Sequence, residues 1–287
     1  MITDVPPLPD LRREIDRIDD AIHDLLMQRT EVVEKIGHAK KGGGYLVPGR
    51  EAEVLRRLVK RHSGRLSRAV IVRIWRELFS ALVAVQGPFA VAVYMPRRGE
   101  GYLEIARDQY GSYTNTISFT SAAQVIRAVT DGVATVGILP LPQDDAASPW
   151  WHTIIGDAPS TPRIIARLPF TGPGPGRGDG REALAVARPP SEISENDRTL
   201  VVFETASGIS RASLFRQLSG ADLGECAHLG QRELGDEAWL HILEVNGHVT
   251  SDDQRLRHLV EMDGALVRRV SVIGGYLMPF AAADLAL

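Results

Sequence analysis

The sequence predicts a multidomain protein: an all-helical segment over residues 1–88, an α/β region over 89–198 and a βαββαβ unit over 199–287. Three observations lead there. Between residues 11 and 86 apolar side chains recur in steps of three and four, in runs separated by glycine and proline, which is helical periodicity. At Phe89 the pattern changes to alternating or continuously apolar runs of strand length. From Arg198 onward two helical stretches lie among four strand-like ones. With 287 residues, 44% of them hydrophobic and 24% charged, the chain has the length for about two domains and the balance of an ordinary soluble protein.

The first helix, residues 11–40, organises the rest. Leu11, Ile15, Ile18, Ile22, Leu25, Val32 and Ile36 form a seam suited to packing against other helices, and the missing seam position is held by Arg29. Burying a guanidinium without a partner is costly, so an anionic partner or ligand is expected there, either a carboxylate such as Glu51 or Glu34 or a bound molecule. Arg29 and Lys40 stand eleven residues apart, about three turns or roughly 16 Å, on nearly the same face. Two long side chains at that spacing can close around a small anion. Arg12 lies seventeen residues before Arg29 and about a quarter turn away, so it must serve a second site. An antiparallel dimer of this helix would carry Arg12 of one protomer to Arg29 and Lys40 of the other.

The run KGGG at 41–44 must break the helix, since each glycine costs roughly 1 kcal/mol, and a flexible loop over the site is expected. Pro48 is suited to a first turn, and residues 50–62 carry the stripe Val54, Leu55, Leu58 and Val59 before Gly64 ends the run. Ser67 is an expected N-cap for a third helix with the stripe Ile71, Ile74, Trp75, Leu78, Phe79, Leu82 and Val85, stopped by Gly87-Pro88. Gln86 follows Trp75 by eleven residues on the same face, where a polar side chain needs a partner. Three helices of unequal length make a small core, so this segment is expected to intertwine with a second copy.

The pattern LRxxIDxIDxxIxxLLxxRxxxxxxIGxxK, followed by Arg50-Glu51 and ending at Gln86, resembles the all-helical chorismate mutase family over about residues 8–86. The resemblance implies the rearrangement of chorismate to prephenate, with no cofactor and no metal. It implies that Lys40 and Gln86 donate to the ether oxygen on which negative charge grows. It further implies that Arg29 and the Arg12 of a second copy hold the two substrate carboxylates, a task suited to arginine. Glu51 would accept from the ring hydroxyl, and Arg50 would order the loop or support the carboxylate contacts. Where some relatives place an aspartate and a serine near the hydroxyl, this chain has Val47 and Leu82. Two other functions remain: an isochorismate pyruvate lyase built on the same cation clamp, and a non-catalytic amino-acid-sensing dimer that keeps the helices only for association.

In the α/β region, strands are expected at 90–95, 116–119 and 135–139 and helices at 101–110 and 121–131. With Tyr94-Met-Pro-Arg97 and Gly137-Ile-Leu-Pro140, this order resembles the first half of a prephenate dehydratase domain, to which such mutases are fused in some bacterial enzymes. The resemblance fails at the chemistry. The family's GTFS-like turn and Thr-Arg-Phe strand are replaced by GEGY at 99–102 and GRE at 180–182, with Arg181 alone retained, and forty residues between Pro140 and Arg181 are too few for that domain's second lobe. A catalytically inactive dehydratase-like region is therefore expected. The glycine-proline run at 171–180 lacks the Lys-Ser/Thr of a phosphate loop and reads as a linker. The C-terminal unit, with strands at 199–203, 227–234, 239–246 and 266–276 and helices at 210–218 and 253–262, resembles the small ACT-like modules that bind amino acids in aromatic biosynthesis. An amino-acid effector is implied there, although SGIS at 207–210 and GQRE at 230–233 depart from the family's gripping motifs.

Several classes are set aside. A formal charge of −3 and the absence of a nucleic-acid motif speak against nucleic-acid binding, and the Arg/Lys-rich stretch 56–68 has the spacing of a solvated helix face. The opening MITDVPPLPD has neither the positive start nor the apolar core of a signal peptide, so a cytoplasmic protein without membrane association is expected. Cys226, the single cysteine, forms no internal disulfide, and His23, His38 and His62 lack metal-site spacing. There is no nucleophile elbow, and the implied reaction needs none.

Overall fold

The computed structural model describes residues 6–40, 45–97, 102–143, 149–172, 180–188, 198–262 and 264–286. The breaks expected from KGGG at 41–44 and most of the glycine-proline run, 173–179, lie outside the described residues, as do positions 99–101 of the GEGY turn.

Three helices come first: α1 (Leu8–Ala39), α2 (Pro48–Arg61) and α3 (Arg68–Gln86). Pro48 opens α2 as its sequence position requires, whereas Ser67 occupies the N-cap of α3 without a side-chain capping bond. The face that α1 turns toward α3 is not its apolar seam. Leu26, Arg29, Val33, Gly37 and Lys40 are half-buried, while seam residues Leu11 to Ile36 stay between 37 and 63% exposed. In α3 the buried positions are Val72, Arg76, Phe79, Ser80, Leu82 and Val83, so Ile74 and Val85 of the expected stripe lie on the outer face.

The rest of the chain builds one nine-stranded sheet. Its strands are β1 (Ala90–Tyr94), β2 (Asn115–Phe119), β3 (Val136–Pro140), β4 (Arg163–Leu168), β5 (Ala183–Ala187), β6 (Arg198–Ala206), β7 (Cys226–Leu234), β8 (Ala238–Asn246) and β9 (Val267–Tyr276), in the spatial order β2-β1-β3-β5-β4-β9-β6-β8-β7. Parallel pairing of β1 with β2 and β3 requires crossover helices, and α4 (Tyr102–Tyr110) and α5 (Ala122–Thr130) supply them, α5 opened by a Ser121–Gln124 capping box. The expected βαββαβ succession is completed by α6 (Arg211–Gly220) and α7 (Gln254–Glu261), with β9, β6, β8 and β7 antiparallel to one another in that order. A last short helix, α8 (Ala282–Leu285), ends the described chain.

The sequence patterns name no strand between Pro140 and Arg181, yet β4 forms there and joins the sheet's two halves. It pairs antiparallel with β5 and meets β9 in parallel at Ile164↔Gly274. That meeting depends on glycine: a Cβ at Gly274, whose φ is +131°, would lie 2.3 Å from the Ile164 carbonyl oxygen. One core cluster consequently runs from Val125 and Trp151 to Leu200, Ile242 and Tyr276. The helical segment also leans on the C-terminal part of the chain. Ala52, Leu55, Val72 and Phe79 pack with Phe170 and are covered by Leu277, Phe280 and Leu285, while Arg68 donates to the carbonyl of Ala286 at 2.7 Å. No described helix is long and apolar enough to cross a membrane.

Candidate functional site

A cavity of about 810 Å³ opens between α1, α2 and α3. Arg29 of α1 and Lys40 at its C-cap, Arg50 and Glu51 of α2 and Gln86 of α3 line it, within apolar walls that include Trp75, Phe79 and Leu82. The converging ends of α1 and α3 owe their closeness to Gly37, where a Cβ would stand 3.2 Å from the Gln86 Cγ. Gly37 precedes Lys40 by one turn, so the glycine that admits Gln86 also sets it beside the lysine. On the other side of Gln86, Gly87 is tucked beneath the Tyr45 ring, and a Cβ there would meet Tyr45 Cε2 at 2.5 Å.

The charges inside are unevenly matched. Arg29 lies over the Phe79 ring, 5.6 Å from its centroid, and its buried Nη1 has no hydrogen-bond partner among the described residues. Burial lowers the pKa of its guanidinium, and the nearby Glu51 carboxylate pulls it partly back. Glu51 in turn is held by Arg76, whose Nη1 donates to Oε2 at 2.8 Å. Burial raises the Glu51 pKa, against the opposing pull of Arg76 and then of Arg29. Arg29 is thus left with a nearby anion that is already committed elsewhere, and a buried N–H without an acceptor is a group prepared for a ligand.

The structure therefore gathers five of the six residues singled out from sequence. Arg12 is exposed on the first turns of α1 and does not line the cavity of its own chain, as its spacing requires. Arg50 is on the rim, exposed and paired with Glu53 at 2.9 Å. Gln86 donates one Nε2–H to the Leu82 carbonyl at 3.0 Å, within its own helix, which leaves its second N–H for a bound molecule. Sequence reasoning misses two residues. Arg76 is a cation inside the buried stripe of α3, the same signal that marks Arg29, and Tyr45 follows a glycine run that draws attention away from it. Among the described residues no group of three His, Cys, Asp or Glu side chains is placed to hold a metal.

Residues 11–87 match the family model for chorismate mutase type II. Over this segment the chain is similar to chorismate mutases of type II. Among curated relatives, the bifunctional chorismate mutase/prephenate dehydratase of Pseudomonas aeruginosa is 26% identical over 147 residues, 49% of this chain and 40% of that protein. The intracellular chorismate mutase of Mycolicibacterium smegmatis is 46% identical over 57 residues, 19% of this chain and 55% of that protein. The match thus spans less than half the length of the bifunctional relative. Among solved structures, the prephenate dehydratase of Streptococcus mutans is 12% identical with a TM-score of 0.43, covering 66% of this chain and 97% of that one. The cavity between the three helices lies wholly within the residues that match the family model.

Proposed function

We propose that this protein rearranges chorismate to prephenate in the cavity between α1, α2 and α3. The observation that carries the reading is the buried Nη1 of Arg29, without a partner among the described residues, on a side chain that lines the same cavity as Lys40 and Gln86. The reaction is pericyclic. The bond to the ether oxygen breaks ahead of carbon–carbon bond formation, and negative charge grows on that oxygen. Lys40 and Gln86 would donate to it, stabilising the transition state more than the bound substrate. Arg29 would hold one substrate carboxylate, and Arg12 of a second copy the other, keeping the ring and side arm in a reactive geometry. Glu51 Oε1 would accept from the ring hydroxyl while Oε2 stays with Arg76. Arg50, on the rim, would support the carboxylate contacts. No acid, base or covalent intermediate is required.

The dehydratase-like region is taken to be inactive, since GRE at 180–182 stands where the family's Thr-Arg-Phe is expected. The amino-acid effector at the C-terminal unit stays part of the proposal on resemblance alone. The test is to follow chorismate with the purified chain. Chorismate should disappear and prephenate accumulate, with no phenylpyruvate at neutral pH. Lys40→Ala and Arg29→Ala should each lower kcat/KM by about 100-fold or more. Turnover that survives both substitutions would assign the reaction elsewhere. A wild type without turnover would leave the helices as an association module, and salicylate formed from isochorismate would favour the lyase.

A further inference from the structure

A second cavity, of about 170 Å³, lies on the far side of Glu51, between α2, α3 and the strands β4 and β9. Its floor carries Arg76 and Arg163, its walls include Ala52, Ile164, Phe170 and Leu277, and no Asp or Glu is among its described lining residues. Arg76 is 4% exposed and stacks on Phe170, 4.7 Å from the ring centroid. With the Gln109 amide oriented so that its oxygen faces the guanidinium, Gln109 accepts from Arg76 Nη1 at 2.9 Å and from Nη2 at 3.3 Å. The Nη groups are therefore engaged by Glu51 and Gln109, but the buried Nε has no partner among the described residues. Arg163 is fixed by donating to the carbonyls of Ile154, at 3.2 Å, and Gly156, and its Nη2 lies 3.7 Å from the exposed Asp157 carboxylate outside the cavity.

We propose that this cavity binds a compact monocarboxylate with an apolar body about the size of a benzene ring, and that its occupation weakens the mutase site by competing with Glu51 for Arg76. The size follows from volume, since an apolar cavity of about 150 Å³ accepts benzene. The charge follows from two arginines, one with a buried N–H unused among the described residues, in a described lining without carboxylates, their partners Glu51 and Asp157 lying outside it. An ammonium group would find no partner here, which disfavours an amino acid relative to a plain carboxylate. A doubly charged phosphate would have to be dehydrated against Ile164, Phe170 and Leu277. The coupling follows from connectivity. Arg76 contacts both cavities through Glu51, and Glu51 is the anion nearest Arg29. A carboxylate that draws Arg76 away would leave Glu51 to Arg29, the group proposed to hold the substrate. This coupling rests on the mutase reading, whereas the binding does not.

Benzoate, titrated calorimetrically into the full chain, is the probe, with benzylamine as a cation of the same size. Saturable one-to-one binding of benzoate and none of benzylamine is expected. Ala52→Leu, which fills the cavity, and Arg163→Met, which removes a charge, should each weaken benzoate at least tenfold, circular dichroism reporting that the fold is kept. Equal affinity for benzoate in wild type and both variants, or no binding to any of them, overturns the site. In the kinetic arm, benzoate should raise the KM for chorismate several-fold in wild type and have little effect in the two variants. Inhibition that persists unchanged in both variants would place benzoate directly on Arg29 and overturn the coupling. A chain that binds benzoate as described but turns over no chorismate would disprove the mutase reading and leave the site standing.

Discussion

Glu51 and Arg76 form a buried charge pair that neither helix can spare. Removing one member leaves the other dehydrated and unpaired, at a typical cost of about 3–5 kcal/mol. Arg76→Ala should accordingly lower the denaturation midpoint far more than Arg50→Ala, whose exposed pair with Glu53 contributes little. Parallel urea titrations of the two variants check this, and equal midpoints would show that the buried pair has no structural weight. Gln86 yields a different kind of prediction. Glutamine donates without titrating, whereas a glutamate at this position donates only when protonated. Gln86→Glu should therefore fall in kcat/KM by about tenfold per pH unit above the titration of the new carboxyl, while wild type stays broad through neutrality. Overlapping profiles would remove Gln86 from the site. His152 adds a stability effect. Burial and then the neighbouring Arg232 hold its imidazole below the ordinary value of 6.5. Its folded form prefers to be neutral, so the contribution is full above pH 6.5 and is lost as pH falls toward the depressed value. His152→Asn should flatten that part of the stability profile, read by thermal melts in matched buffers. At this scale the sequence is legible wherever a charge breaks an apolar pattern. Arg29 stands out by that signal. Arg76 carries the same signal and is missed, because its partner Glu51 is already assigned to the substrate.

Helices α1 and α3 meet through Gly37, and the meeting has two sides that a single substitution separates. Alanine would favour the helix by about 1 kcal/mol over glycine, yet its Cβ would press on Gln86 Cγ at 3.2 Å. Gly37→Ala should leave the melting temperature equal or higher while kcat falls several-fold, since Gln86 is displaced from Lys40 and the core is untouched. A variant with unchanged kcat would show that Gln86 has room to adjust. Elements with regular period, such as α2 and α5, are readable from spacing because each buries one face against a neighbour. β4 is not readable: its run RIIARL is buried or half-buried along its whole length between β5 and β9, so no alternation marks it, and its pairing with β9 rests on one glycine more than a hundred residues away. Gly274→Ala should break that junction and destabilise the chain, measured as a lowered midpoint in chemical denaturation.

The arrangement of the whole molecule turns on the seam of α1. Within one chain, α1 packs through Leu26, Val33 and Gly37, and the seven apolar seam residues from Leu11 to Ile36 stay exposed, Ile22, Leu25 and Ile36 of them at the edge of the cavity. None of the seven is buried among the described residues, where α2 and α3 pack instead with Phe170, Leu277 and Phe280. A contiguous apolar stripe along a 32-residue helix is larger than a monomer ordinarily leaves to water. A second copy packed antiparallel along the stripe would cover it by two-fold symmetry and carry its Arg12 toward the cavity that holds Arg29 and Lys40. Both facts are met by one assembly, and each has its own readout. Replacing Ile18 and Ile22 together with aspartate should convert the protein to a monomer in sedimentation velocity and reduce kcat/KM in the same samples. Arg12→Ala should keep the dimer yet raise KM. Mixing Arg12→Ala with Arg29→Ala protomers decides between a shared and a self-contained site. If each cavity draws Arg12 from the partner, a mixed dimer has one cavity lacking both arginines and one with both; since random pairing of equal amounts makes half of the dimers mixed, activity should return on mixing to about a quarter of wild type per site. An absence of recovery, with subunit exchange verified, would confine each site to a single chain.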